Sequence, residues 1–174
     1  DFFEVGQAEK EKALSLVSEK LLEALNQAKE NITQYHLQQK ISSWHYKKEG
    51  IYLGQRVNPL NKVGIYIPGG KGFYPSSVLM TAIPAKIAGV QEIIMITPPQ
   101  KDGSIHPALL VTANLCGVDR IFKAGGVQGV AALAYGTKQF PKVDKIVGPG
   151  NQYVTYAKKY LFGTIDIDSL AGPS

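Results

Sequence analysis

A short cassette that recurs along the second half of the chain limits its fold more than anything else in the sequence. Val90-Gln91-Glu92-Ile93, Val118-Asp119-Arg120-Ile121 and Val143-Asp144-Lys145-Ile146 each open an apolar run, and they begin 28 and 25 residues apart. Such an interval holds one strand, one helix and two loops. From Val57 onward, β-branched runs such as Val63-Gly64-Ile65-Tyr66-Ile67 alternate with Gly/Pro loops and with helix-period segments such as Ser76 to Gly89. Four β-α units in series result. Strands joined by crossover helices lie parallel, and runs of about five nearly all-apolar residues belong where both faces of a sheet are covered. The expected fold class is α/β, an open doubly wound parallel sheet of Rossmann-like type, preceded by a long amphipathic helix. That helix is read from about Ala8 to Gln38, where Leu14, Val17, Leu21, Leu25, Ala28, Ile32 and Tyr35 recur every three or four residues. Its apolar stripe needs cover from the main domain, from further chain or from a second subunit. Trp44 and Tyr46 then alternate with polar residues ahead of a corner at Gly50 and Gly54, as in a short strand or hairpin linker.

Chain direction decides where function sits, because in such sheets ligands bind outside the carboxyl ends of the strands. The unusual loops all fall there: Pro68-Gly69-Gly70-Lys71-Gly72, Thr97-Pro98-Pro99, Ala124-Gly125-Gly126-Val127-Gln128-Gly129 and Gly148-Pro149-Gly150-Asn151. Glycines between a strand and a helix leave room for a ligand and aim the free N–H groups of the helix start at an anion, so a phosphate-bearing cofactor is the natural occupant. None of these loops reads G-x-G-x-x-G or G-x-x-x-x-G-K-[ST], so neither the common dinucleotide fingerprint nor a nucleoside-triphosphatase loop is present. On the rim, Gln128 is a poor helix cap and presents an amide. Asn151 either caps the following helix or faces the ligand. Tyr66, on the strand face opposite Ile65 and Ile67, is either a core tyrosine or an aromatic wall for a ring-bearing ligand. The domain reading is 1–55 for the N-terminal helix and linker and 56–174 for an α/β cofactor-binding domain.

Other residues carry less. His36, His45 and His106 stand far apart and none pairs with a Cys, Asp or Glu at ligand spacing, so they read as surface histidines and no zinc site is expected within the chain. Asp166 and Asp168 share one strand face, which solvation of a strand end explains as well as acid–base chemistry does. Cys116 is the one cysteine; beside Gly117 it reads as a buried structural thiol, it excludes an internal disulfide, and it suits a reducing compartment. A net charge of +5 and a pI near 9.2 raise the question of nucleic acid. The basic residues are scattered, however, and the densest pairs, Lys47-Lys48 and Lys158-Lys159, read as solvated surface, so no nucleic-acid partner is expected. No apolar run is long enough to cross a bilayer, and Asp1-Phe2-Phe3-Glu4 is not the basic lead-in of a signal peptide. A soluble, cytoplasmic protein without a membrane partner is expected.

Taken together, VGIYIPGG, YPSSVLMTAIPAKIAGV, GGVQGVAALAYGT, VDKIVGPGNQYV and IDSLAGPS resemble the NAD-dependent histidinol dehydrogenases from about Ser43 to Ser174. The order of GPGN followed by AGPS is the most specific part of the likeness. The resemblance implies a homodimeric enzyme that oxidises L-histidinol through L-histidinal to L-histidine with two NAD molecules and a bound zinc, on a fold related to the aldehyde dehydrogenases. Carried over by position, it makes Tyr66, Gln128 and Asn151 NAD contacts and Ser174 a substrate contact. Lys71, Val127 and Gly129 are small departures from the family pattern. The family's zinc ligands and Glu-His pair would follow Ser174 and have no counterpart here, so the chain is expected to be the NAD-binding portion of a longer enzyme, inactive by itself. The rival reading is a non-catalytic α/β module that binds a nucleotide as a regulatory ligand.

Overall fold

In a computed structural model, residues 3–69 and 72–170 can be described; Gly70, Lys71 and Ser174 lie outside that set. The recurrent cassette becomes a five-stranded parallel sheet in the order β5-β4-β3-β6-β7. Its strands are β3 (Lys62–Tyr66), β4 (Glu92–Thr97), β5 (Arg120–Lys123), β6 (Lys145–Val147) and β7 (Asp166–Ile167). Register pairs Val63 with Ile93 and Lys145, and Ile94 with Arg120. The chain steps outward from β3 to β4 to β5, then returns to place β6 on the other side of β3. The gap between β3 and β6 is therefore the topological switch point, where an open α/β sheet binds its ligand.

Strand alternation sorts the core into two layers. Val63, Ile65, Ile93, Met95 and Ile121 face α3 (Pro75–Ala88) and α4 (Pro107–Leu115). Tyr66, Ile94, Ile96, Phe122 and Ile146 face α5 (Gly126–Tyr135) and α6 (Gln152–Leu161). Both sheet faces are thus covered by helices, as the doubly wound reading requires.

The N-terminal helix differs from expectation in one respect. It is broken into α1 (Gln7–Ser15) and α2 (Glu19–Leu37), because the Ser18 hydroxyl accepts the Leu21 N–H and starts a new helix at that point. The break lets α1 lie on α4 and α2 on α3, with Ala13 and Leu25 buried in the main core and Val17, Leu21, Ala28 and Ile32 packed against it, while Leu14 and Tyr35 stay exposed, so the sheet domain covers most of the apolar stripe and not its two ends. Ahead of α1, Val5 N–H donates to the Ile121 carbonyl and Lys123 N–H to the Phe3 carbonyl, which adds a short antiparallel run along the edge of β5. β1 (Trp44–Lys48) and β2 (Ile51–Gln55) form an antiparallel hairpin, turned at Glu49-Gly50 with Gly50 at φ +71°.

The cassettes have a second role that the sequence pattern alone did not reveal. The Asp119 carboxylate accepts the Ile93 N–H at 2.7 Å, and the Asp144 carboxylate accepts the N–H groups of Asn61 and Lys62 at 3.0 and 2.9 Å. Each aspartate of a V-D-x-I cassette therefore ties off the amino end of the neighbouring strand. No helix among the described residues is long and apolar enough to cross a membrane.

Candidate functional site

The carboxyl ends of β3, β4, β5 and β6 converge on one rim, and three side chains selected from sequence lie on it. Tyr66 ends β3 almost fully buried, in the layer beneath α5 and α6. Its hydroxyl accepts the Gly126 N–H at 3.2 Å, so the ring serves as core while the phenol oxygen touches the first turn of α5. The core reading of Tyr66 holds, and its hydroxyl stands at the rim. Gln128 is the third residue of α5 and is exposed. α5 starts at Gly125, which has no side chain to cap it; the Tyr66 hydroxyl takes the Gly126 N–H, and no carboxylate among the described residues meets the helix start.

Asn151 resolves differently. Its Oδ1 accepts the Val154 N–H at 3.1 Å and caps α6. The side-chain amide nitrogen is free of the cap, so Asn151 can donate from it to a ligand. Ser174, the predicted substrate contact, lies outside the described residues.

What holds the Gly148-Pro149-Gly150-Asn151 loop in place was not foreseen. Lys158, read from sequence as half of a solvated pair, is instead buried with 3% of its surface exposed. Its Nζ donates to the Asp168 carboxylate and, at 3.1 Å, to the Gly148 carbonyl. Asp168 in turn accepts the Gly148 N–H at 2.8 Å. One ion pair thus grips both backbone polar groups of Gly148, and Asp168 is not the merely solvated strand end it resembled. Gly148 adopts φ +110°, and a Cβ there would stand 2.3 Å from the Tyr66 carbonyl oxygen, so only glycine lets this loop pass so close to β3. Signals for the pair existed, since a lysine at an apolar-stripe position of α6 and an aspartate just past β7 are both misplaced for plain surface.

His106 departs from the surface reading as well. It is half-buried, stacks on Phe73 with ring centroids 3.7 Å apart, and its Nδ1 accepts the Ala108 N–H to cap α4. Cys116 is a buried free thiol whose burial pushes its pKa up to about 11, far from a reactive thiolate. Among the described residues no group of three or more His, Cys, Asp or Glu side chains gathers as a metal site would need. A groove of about 830 Å³ also runs between α5 and α6, walled by Tyr135, Tyr153, Tyr156 and Tyr160.

This rim has close relatives. The family profile for histidinol dehydrogenase matches residues 1–174. The chain belongs to the histidinol dehydrogenase family. It is 56% identical over 173 residues to the histidinol dehydrogenase of Oceanobacillus iheyensis, covering 99% of this chain and 40% of that protein. To the histidinol dehydrogenase of Clostridium acetobutylicum it is 55% identical over 172 residues, covering 98% and 40%. Its fold superposes on the crystal structure of the Elizabethkingia anophelis histidinol dehydrogenase with a TM-score of 0.94 at 44% identity, covering 99% of this chain and 40% of that one. The chain therefore spans about 40% of the length of the family members it matches.

Proposed function

We propose that this chain supplies the NAD-binding part of a histidinol dehydrogenase, an oxidoreductase that converts L-histidinol through L-histidinal to L-histidine. The reading is carried by the convergence of Tyr66, the glycine start of α5 with Gln128, and Asn151 around the β3/β6 switch point. These residues suit a dinucleotide: a helix start without its own cap for phosphate, two amides for directional hydrogen bonds, and a loop pinned by a buried ion pair so that the amides keep their positions. Bound NAD would supply the hydride acceptor. The chain's own residues would orient it: the Gln128 amide can donate and accept, while the Asn151 Nδ2 donates and its Oδ1 stays on the Val154 N–H. The donor set for zinc is not assembled among the described residues.

The homodimer expected of the family belongs to the same proposal. Trp44, Tyr46, Ile51, Tyr52 and Leu53 of the β1/β2 hairpin are exposed, and a two-stranded hairpin with apolar faces in water is marginal without cover. Cytoplasmic location is proposed on the same footing as the family's metabolic role.

The deciding experiment is a calorimetric NAD titration of the full-length protein alongside L-histidinol-dependent NAD reduction. Gln128→Ala combined with Asn151→Ser, which preserves a helix cap, is expected to weaken NAD binding by about 1–3 kcal/mol. An unaltered affinity would remove both amides from the site, and a full-length protein that binds NAD but leaves L-histidinol unoxidised would overturn the substrate assignment.

A further inference from the structure

The two faces of the sheet are finished differently. The α3 and α4 layer carries a second layer, with α1 across α4 and α2 across α3. α5 and α6 pack on each other, and no further helix overlies them among the described residues. Yet α6 is apolar on two sides. Val154, Ala157 and Leu161 are buried in the core, while Tyr153, Tyr156 and Tyr160 form a second stripe spaced three and four residues apart. These tyrosines are 61%, 66% and 85% exposed, and they share a trough with Tyr135 and Val127 of α5. A helix apolar over so wide an arc is built to be covered on more than one side. Lys159 is the one charged residue of α6 left outside, since Lys158 is buried.

Shape, charge and length say what covers it. Tyrosines this exposed wall an open trough of about 830 Å³, whereas a small-molecule pocket buries most of its ligand's surface. Tyrosine suits a surface that meets other protein, where the ring is buried and the hydroxyl stays polar. A second copy fits poorly. Pairing the patch with itself across a twofold axis would set Lys159 near its counterpart, with no Asp or Glu in the lining to meet either. The occupant therefore brings apolar side chains and a carboxylate. The chain spans about 40% of the length of its family relatives, so most of a family polypeptide lies beyond it, and being tethered it reaches the trough at high effective concentration.

We propose that the trough seats a helix from the remainder of the same polypeptide, with apolar side chains laid between the tyrosines and a carboxylate on Lys159. The proposal rests on the reading that this chain is part of a longer histidinol dehydrogenase. A third helix laid on two is what α1 and α2 already achieve on the opposite face, by ridges packed into grooves. The seat begins at the rim, since Val127 adjoins Gln128 and Tyr153 lies two residues after Asn151. A helix docked there braces the starts of α5 and α6, which carry both proposed NAD amides, against the rest of the enzyme.

The test uses the native full-length protein and two readouts. In tyrosine acetylation followed by mass spectrometry, Tyr156 and Tyr160 should react at least about tenfold more slowly than in the urea-unfolded protein. Reaction at the unfolded rate would show the trough open and overturn the proposal. Carbodiimide, which joins an ammonium to a carboxylate it touches, should link Lys159 to an Asp or Glu outside residues 1–174. In a co-renatured mixture of heavy-isotope-labelled and unlabelled chains, the linked peptides should carry matching labels only. Mixed labels would give the trough to a second copy, and absence of any link at Lys159 would remove the carboxylate; either result overturns the proposal. L-histidinol-dependent NAD reduction is followed on the same preparation. Turnover with freely reacting tyrosines would bring down this proposal alone, whereas protected, linked protein without turnover would bring down the functional reading and leave the docking intact.

Discussion

The two ends of the sheet are built on opposite plans. At the amino ends, strand N–H groups are met by cassette carboxylates, and four of the six ion pairs among the described residues cluster there: Lys62–Glu92, Lys86–Asp119, Arg120–Glu4 and Lys145–Asp166. At the carboxyl ends the same strands run into glycine loops, a helix start with no carboxylate on it and exposed amides. One end spends its polar groups on itself and the other leaves them for something else. Catalytic and binding residues concentrate on the second kind of surface because a group already satisfied within the protein has nothing to offer a ligand.

The contrast can be broken most forcefully at Gly148. A Gly148→Ala change places a side chain at φ +110° and 2.3 Å from the Tyr66 carbonyl oxygen, so either the loop or β3 must move. A loss of about 3–4 kcal/mol is expected by urea denaturation, together with loss of NAD affinity, because strain and overpacking act at the same atom. Stability close to the parent's would show that the loop is not pinned against β3.

Next in size is Asp168→Ala, which leaves the Lys158 ammonium buried without its carboxylate. Breaking a buried pair on one side costs more than the pair is worth, and since Asp168 itself is about a third exposed the loss should be about 2–3 kcal/mol. The double change Lys158→Met, Asp168→Leu should recover most of that stability but not the ordering of Gly148, so NAD affinity should remain low. Recovery of both would mean the ion pair positions nothing.

The amino end supplies the contrasting result. Asp119→Ala removes the acceptor of the Ile93 N–H and should cost about 1–2 kcal/mol, with NAD affinity unchanged. Asp144→Ala should behave likewise. Coupled loss of NAD affinity in either would dissolve the division of labour between the two ends.

How much of this was legible beforehand follows the same division. Local, periodic features could be read directly: the cassette spacing announced a parallel sheet, and chain direction put Tyr66, Gln128 and Asn151 on one rim. Features that depend on residues distant in sequence could not. The apolar-stripe position of Lys158 hints at burial, but nothing in sequence says that Asp168 and Gly148 are what fold back onto it, and a Lys-Lys pair is ordinarily solvated. The break at Ser18 was hidden because the apolar period continues through it, and only the cap hydroxyl marks the boundary.

The smallest effect tests whether the amino end is held by charge. Arg120, at the start of β5, donates through Nε and Nη2 to both carboxylate oxygens of Glu4, at 2.8 and 2.7 Å, and so fastens the segment before α1 to the sheet edge. That guanidinium hydrogen bond holds the Glu4 carboxyl below its usual range, against the opposing effect of partial burial. A carboxylate with a depressed folded pKa contributes stability that is fully present above its unfolded value, about 4.3, and is lost as pH falls through the folded value. Glu4→Gln should therefore cost about 1 kcal/mol or less at neutral pH, given that both partners are roughly a third exposed, and the gap between variant and parent should close as the pH drops below about 4. The measurement is paired urea melts of the two proteins from pH 7 to pH 3. A gap that stayed constant across that range would mean the bond works by shape and packing, and the amino end would then owe its firmness to the cassette aspartates alone.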